Sequence, residues 1–322
     1  MKKVTVFGGG TGSYVVLSGL KSRRLDLAAI VTMMDSGGST GRLRDQLGVL
    51  PPGDLRQCLV ALSDASTLWR ELFLYRFESG DLAGHNFGNI FLSALEKVSS
   101  NYNEVIETAS YVLQTKGKVI PVTFEKTHLG VTYDNGKRII GETHIDENNP
   151  EPGVITNAFL EPKAIPNPQS LTRIAESDRF IVGPGDLYTS IIPNFLPQGI
   201  KEAMHRSPAR LIYILNLMTK HGQTTDYKAS HHLKDITHYV GRQPDIVIVN
   251  NAAVPTDILA WYKSHHERLV ENDLISTGYQ GTIVEADLVD RTKFKRSKGD
   301  KLTRSILRHD TDKLAKVLLQ YI

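Results

Sequence analysis

Short apolar runs rich in β-branched residues punctuate the chain at 4–7 (VTVF), 27–33 (LAAIVTM), 118–124 (KVIPVTF), 179–183 (RFIVG), 209–216 (ARLIYILN), 245–250 (DIVIVN) and 281–287 (GTIVEAD). Their length predicts strands, and their nearly unbroken apolar character predicts strands covered on both faces. Between most of them apolar positions recur with helical spacing, most clearly at 11–22, 54–63, 86–98, 103–114, 187–195 and 310–321. Strands alternating with helices imply right-handed crossovers and a doubly wound, mainly parallel α/β sheet.

One region departs from the alternation. Residues 127–146 place Asp134-Asn135-Gly136 between two short β-prone runs, which is a hairpin signature. The Pro- and Asn-rich stretch after it suits no long helix. Residues 118–170 are therefore expected to form an antiparallel insertion or sheet edge within a single α/β nucleotide-binding domain spanning 1–322.

Composition narrows the class further. With 40% hydrophobic and 23% charged residues and a net charge of +3, the chain reads as an ordinary globular protein, and its charge alone does not point to nucleic acid. The first apolar run is too short for a signal peptide, and no run approaches membrane-spanning length. The single cysteine, Cys58, lies in an apolar helical pattern and is expected to be buried, in keeping with a reducing cytoplasm. The oligomeric state stays open between a monomer and a homo-oligomer.

The candidate chemistry sits where strands end. After the first run comes Gly8-Gly9-Gly10-Thr11-Gly12-Ser13, whose bare amides at a helix start suit an anion, with Thr11 and Ser13 hydroxyls to assist. The dinucleotide fingerprint is broken at Ser13, which argues against a nicotinamide-dependent oxidoreductase. After the second run stand Asp35, then Ser36-Gly37-Gly38-Ser39-Thr40, then Arg42 and Arg44, read as a second anion-friendly loop. Asp54 is a plausible helix cap. The Gly84–Asn89 segment offers His85, Asn86 and Asn89, with a capping role for Asn86 as the alternative. After the fourth run come Gly183-Pro184-Gly185-Asp186, Tyr188, Thr189 and, further on, Asn194. In an open parallel sheet such loops converge on one crevice.

These motifs, VFGGGTG, D-x-GGS-x-GRLR, PPGDLR, GHNFGN and GPGDLYTSIIPN, occur in this order over residues 6–194, with ILRHD at 306–310. The set resembles the YvcK-like gluconeogenesis factors of bacteria, relatives of 2-phospho-L-lactate transferase. The resemblance implies a Rossmann-like fold, binding of a UDP-sugar (UDP-N-acetylglucosamine above all), and a cytoplasmic role linking carbon metabolism to cell-wall synthesis and cell shape. It carries ligand contacts onto Thr11, Asn194 and Arg308, and a kinase target onto Thr311, for which a place in a helix cap is the alternative.

The transferase relatives carry two adjacent acids at the end of the second strand, whereas here Asp35 is followed by Ser36. Asp35 can share Mg²⁺ with substrate phosphates, but a serine is a poor base. Binding without turnover is favoured, with an Mg-dependent phosphotransferase as the alternative. The pairs His231-His232 and His265-His266 are expected to be surface or capping residues. The basic stretch at 291–298 is read as a solvated loop, with a phosphate-side lid delivering Arg308 as the functional alternative.

Overall fold

The computed structural model describes residues 1–147, 153–292 and 306–322. Among the described residues there are ten strands: β1 Lys2–Gly8, β2 Leu25–Val31, β3 Lys118–Pro121, β4 His128–Tyr133, β5 Arg138–Ile140, β6 Ile155–Glu161, β7 Arg179–Val182, β8 Arg210–Ile214, β9 Ile246–Asn250 and β10 Thr282–Ala286. All seven expected strands enter one sheet, in the order β10-β9-β8-β7-β1-β2-β3, with every neighbouring pair parallel. The order reverses between β1 and β7, which are paired through Val4–Arg179 to Phe7–Val182. That is the topological switch point of a Rossmann-type sheet.

The period-2 alternation of each strand explains the two covered faces. Val4, Val6, Leu27, Ala29, Ile181, Ile212 and Ile248 pack against helices α1 (Gly10–Leu20), α3 (Gly53–Leu62), α5 (Phe87–Val98), α6 (Tyr102–Leu113) and α12 (Thr311–Leu318). Phe7, Ile30, Phe180, Val182, Tyr213 and Val249 face the opposite core, built with α8 (Pro168–Glu176), α9 (Ile200–Arg206) and α10 (Ala229–Val240). Successive strand residues point to opposite faces, so one run of β-branched residues fills both cores. Cys58 is fully buried in α3.

The insertion is antiparallel but starts later than expected. β3 is the parallel edge of the main sheet, and the separate sheet β5-β4-β6 begins at His128. Its Leu129, Val131, Ile155 and Ala158 join the core beneath the main sheet. A short helix, α7 (Glu142–Glu147), links β5 to β6.

Two further expectations change. The stretch after Asp35 is not a loop: α2 runs from Gly38 to Leu47 and stops at Gly48, whose φ of 63° gives a left-handed cap. Glycine is a weak helix former, yet burial of Thr40, Gly41 and Leu43 against neighbouring elements overrides that propensity. The run at 187–195 is a π-helical turn, Leu187–Ile191, followed by a 3₁₀ turn, Ile192–Phe195. No helix among the described residues is long and apolar enough to cross a membrane.

Candidate functional site

The turns after β1 and β7 meet at the switch point. A β-carbon on Gly12 would lie 2.5 Å from the carbonyl carbon of Pro184 and nearer still to its oxygen, so only glycine lets the start of α1 approach the 183–186 turn this closely. Together the two turns border a cavity of about 870 Å³. Its wall includes Gly9, Gly10, Thr11, Gly12, Gly185 and Asp186 from the glycine turns, Asp35, Gly37 and Ser39 from the end of β2, and Arg308 from the segment before α12.

Other expected residues are placed elsewhere. Ser13 and Gly183 are buried beside the turns and lie outside the lining, and Gly38 opens α2. Arg42 sits on the exposed side of α2, donating to the carbonyl of Ala83 at 3.1 Å. Asn86 caps α5, accepting from the amide of Asn89 at 3.2 Å, while Asn89 itself reaches the wall and accepts from Arg56 Nε at 2.8 Å. Tyr188 is buried and donates to Asp235 at 2.7 Å. Thr189 donates to Asp146 Oδ1 at 3.4 Å. Asn194 is fully buried and donates to the carbonyls of Ser190 and Ile191 at 2.9 and 3.1 Å. Asp310 caps α12 by accepting from the amides of Asp312 and Lys313, with Thr311 the first helical residue after it. Of the basic stretch at 291–298 only Arg291 and Thr292 fall within the described residues, so the lid lies outside them.

The fold brings in groups that sequence proximity does not reveal. Ser36, the residue in place of a second acid, is bound to the insertion: its hydroxyl lies 3.1 Å from Thr143 Oγ1 and its amide donates to Glu142 Oε2 at 2.8 Å. The next amide, of Gly37, donates to Asp35 Oδ1 at 2.8 Å. Two carboxylates are thus anchored on consecutive amides, one from β2 and one from α7. Burial, then repulsion from Asp35 and Asp146, pushes the Glu142 carboxyl well above the usual range. Asp146, one turn further along α7, is pushed up to about 7 by burial and then by Asp186.

Asp54, expected as a helix cap, lies instead in the first turn of α3, whose N-cap is Pro52, and lines the wall. Opposite, Lys220 in the turn after β8 is held above its ordinary value by Asp186, against the effect of burial, with help from Asp146 and Glu267. His265 and His309 border the same end. The expectation for the histidine pairs fails at His232, which is fully buried against Tyr213 and Tyr227. His231, His265 and His266 are exposed as expected, and His265, at the C-cap of α11 (Thr256–Ser264), also borders the cavity. Only a register that places the end of α11 over the β8 turn could have signalled His265.

Among the described residues no three His, Cys, Asp or Glu side chains are grouped so as to hold a metal ion. The donor set fits magnesium only in the manner that ion commonly uses, with one or two carboxylates and the phosphates of a bound ligand. Asp35, beside Glu142, is the residue that would hold it there.

A seven-stranded parallel sheet in Rossmann order, with a ligand-sized polar cavity at its switch point, defines an α/β protein of the Rossmann class. The model of the family described as 2-phospho-L-lactate transferase CofD matches residues 4–289, and the chain belongs to that family. It is 38% identical over 323 residues to the gluconeogenesis factor of Bacillus subtilis, covering 99% of this chain and 98% of that one. It is also 38% identical over 312 residues to the gluconeogenesis factor of Halalkalibacterium halodurans, covering 95% and 96%. A crystal structure of a Bacillus halodurans protein superposes with a TM-score of 0.90 at 36% identity over 99% of both chains. A second, of a UPF0052-family protein from the same organism, gives 0.89.

Proposed function

We propose that the protein binds a nucleotide sugar of the UDP-N-acetylglucosamine type in the switch-point cavity without turning it over, and acts as a gluconeogenesis factor coupling carbon metabolism to cell-wall synthesis and cell shape. The observation that carries this reading is the meeting of two glycine turns on one cavity of about 870 Å³, within the range of small-molecule sites. Bare amides at the start of α1 and at 183–186 suit a diphosphate, Thr11 adds a hydroxyl, and Arg308 supplies a fork of donors from across the cavity. The gluconeogenesis factors that match nearly the whole chain support the role. In this reading the protein works in the cytoplasm, and Thr311 is the position open to a regulatory kinase.

A second reading has its own observation. Glu142 restores beside Asp35 the second acid that Ser36 lacks, and a carboxyl with a raised pKa is a fitting general base. Glu142 would take the proton of an acceptor hydroxyl as that oxygen bonds to a phosphorus of the ligand. The phosphoanhydride bond would break and the nucleoside phosphate would leave. Asp35 would hold a Mg²⁺ that offsets the phosphate charge, and the protein would be a transferase of phosphorus-containing groups.

Calorimetry against UDP-N-acetylglucosamine, with NAD in the same buffer, followed by recovery of the ligand, separates these readings. Tight binding of the sugar nucleotide, none of NAD, and intact ligand afterwards is the expected result. Consumed ligand would favour the transferase, and heat from NAD alone would overturn both. Arg308→Ala is expected to weaken the sugar nucleotide by about tenfold or more, the value of a charge-assisted contact. Unchanged affinity would remove Arg308 from the diphosphate site.

A further inference from the structure

The two wings of the cavity differ in chemistry. On the β2 side the lining is almost entirely polar or glycine, Val15 of α1 being the exception: Asp35, Ser39, Thr40, Asp54, Arg56 and Glu142 are typical of it. On the β8 side three apolar side chains, Leu217, Met218 and Leu307, reach the wall from a small hydrophobic cluster built with Val254 and Tyr262. His265 borders the same wing, exposed at the end of α11, with its ring stacked on Trp261 at 4.0 Å between centroids and 30° between planes. Among the described residues no second ring lies against His265.

Two buried acceptors on this wing lack partners. Asn216 donates through Nδ2 to the carbonyl of Gly185 at 2.6 Å, and its Oδ1 is unpaired. His309 is only 6% exposed; its ring donates to the carbonyl of Leu215, which leaves Nε2 as an unprotonated and unpaired acceptor. Buried acceptors without partners are costly, and an N–H group on the edge of a ligand would relieve them.

We infer that the nucleobase of the ligand occupies the β8 wing, stacked on His265 against Leu217, Met218 and Leu307, and that its sugar lies in the carboxylate-rich β2 wing. This rests on the reading that a nucleotide sugar fills the cavity. A base needs flat apolar faces and a few hydrogen bonds at its edge, and only this wing supplies both. A hexose presents hydroxyls around its rim, and the β2 wing offers carboxylates, hydroxyls and guanidinium groups to meet them. The diphosphate then spans the glycine turns between the wings.

The test compares wild type, His265→Ala and His265→Phe by calorimetry against UDP-N-acetylglucosamine and against UDP. His265 is exposed, so neither substitution threatens the core. The alanine variant is expected to bind both ligands about tenfold more weakly, within the range of base stacking. Phenylalanine keeps the stacking face without the imidazole nitrogens and is expected to restore most of the affinity. Loss of affinity for the sugar nucleotide with UDP unaffected would put the sugar on this wing and overturn the inference. Unchanged affinity for both would also overturn it while leaving nucleotide-sugar binding intact. Failure of the wild type to bind either ligand would bring down both readings together.

Discussion

Gly12→Ala tests the junction on which the site depends. Gly12 is in the first turn of α1, where alanine would ordinarily be favoured over glycine by up to about 1 kcal/mol. With no contact at the switch point, the substitution would therefore stabilise the protein. The geometry reverses the sign. The new methyl would lie 2.5 Å from the carbonyl carbon of Pro184, against 3.4 Å for ordinary contact, so the α1 turn and the 183–186 turn must separate by about 1 Å. Both partners are backbone held by strands of one sheet and cannot swing aside as a flexible side chain would. Overpacking of this kind costs about 3 kcal/mol, which leaves a net loss of about 2 kcal/mol. For 322 residues the unfolding entropy is about 0.7 kcal/mol per kelvin, so Tm should fall by about 3 °C, where helix propensity alone would raise it by about 1.5 °C. Thermal unfolding followed by circular dichroism reads the sign directly. Binding of a diphosphate ligand should weaken in parallel, because the amides of the two turns move apart. A rise in Tm with affinity retained would refute the close approach and the argument built on it.

Asp146→Asn should change the pH dependence of stability. The Asp146 carboxyl titrates near 7 in the folded protein against an ordinary value of 3.8, so folding takes up a proton between those values. The native state loses stability as pH rises through that window, and asparagine removes the loss. The variant should therefore gain about 4 kcal/mol more over wild type at pH 8 than at pH 4; a pH-independent difference would rule this out. Arg173→Ala should lower stability by about 3–5 kcal/mol, because its buried guanidinium joins Asp26 at 2.9 Å, Thr5 at 2.9 Å and the carbonyl of Val4 at 3.1 Å. Denaturant titration measures this, and a midpoint equal to wild type would contradict it.

Much of the fold was legible because it rests on local signals. The runs VTVF, LAAIVTM and DIVIVN carry the alternation that serves two cores at once, and each became a strand of the main sheet. Small polar loops at strand ends marked the switch point, and Gly9–Gly12 and Gly185 do line the cavity. The helix after Asp35 was not legible: its first residues are glycine, serine and threonine, and it is stabilised by burial rather than by propensity. Tyr188 and Asn194, motif residues beside the glycine turn, are buried and donate hydrogen bonds within the core, a placement that local sequence does not signal.

The sequence by itself determined the class of fold, the parallel sheet and the glycine turns, since hydrophobic period and bare backbone are properties of neighbouring residues. Only the tertiary structure decided what faces those turns. Glu142, 106 positions after Ser36, reaches the end of β2 because the antiparallel insertion packs beneath the main sheet. Lys220 and His265 border the same cavity from the β8 turn and the end of α11. The shifted pKa values of Glu142 and Lys220 arise from burial and from groups distant in the chain, and a linear pattern does not encode those distances.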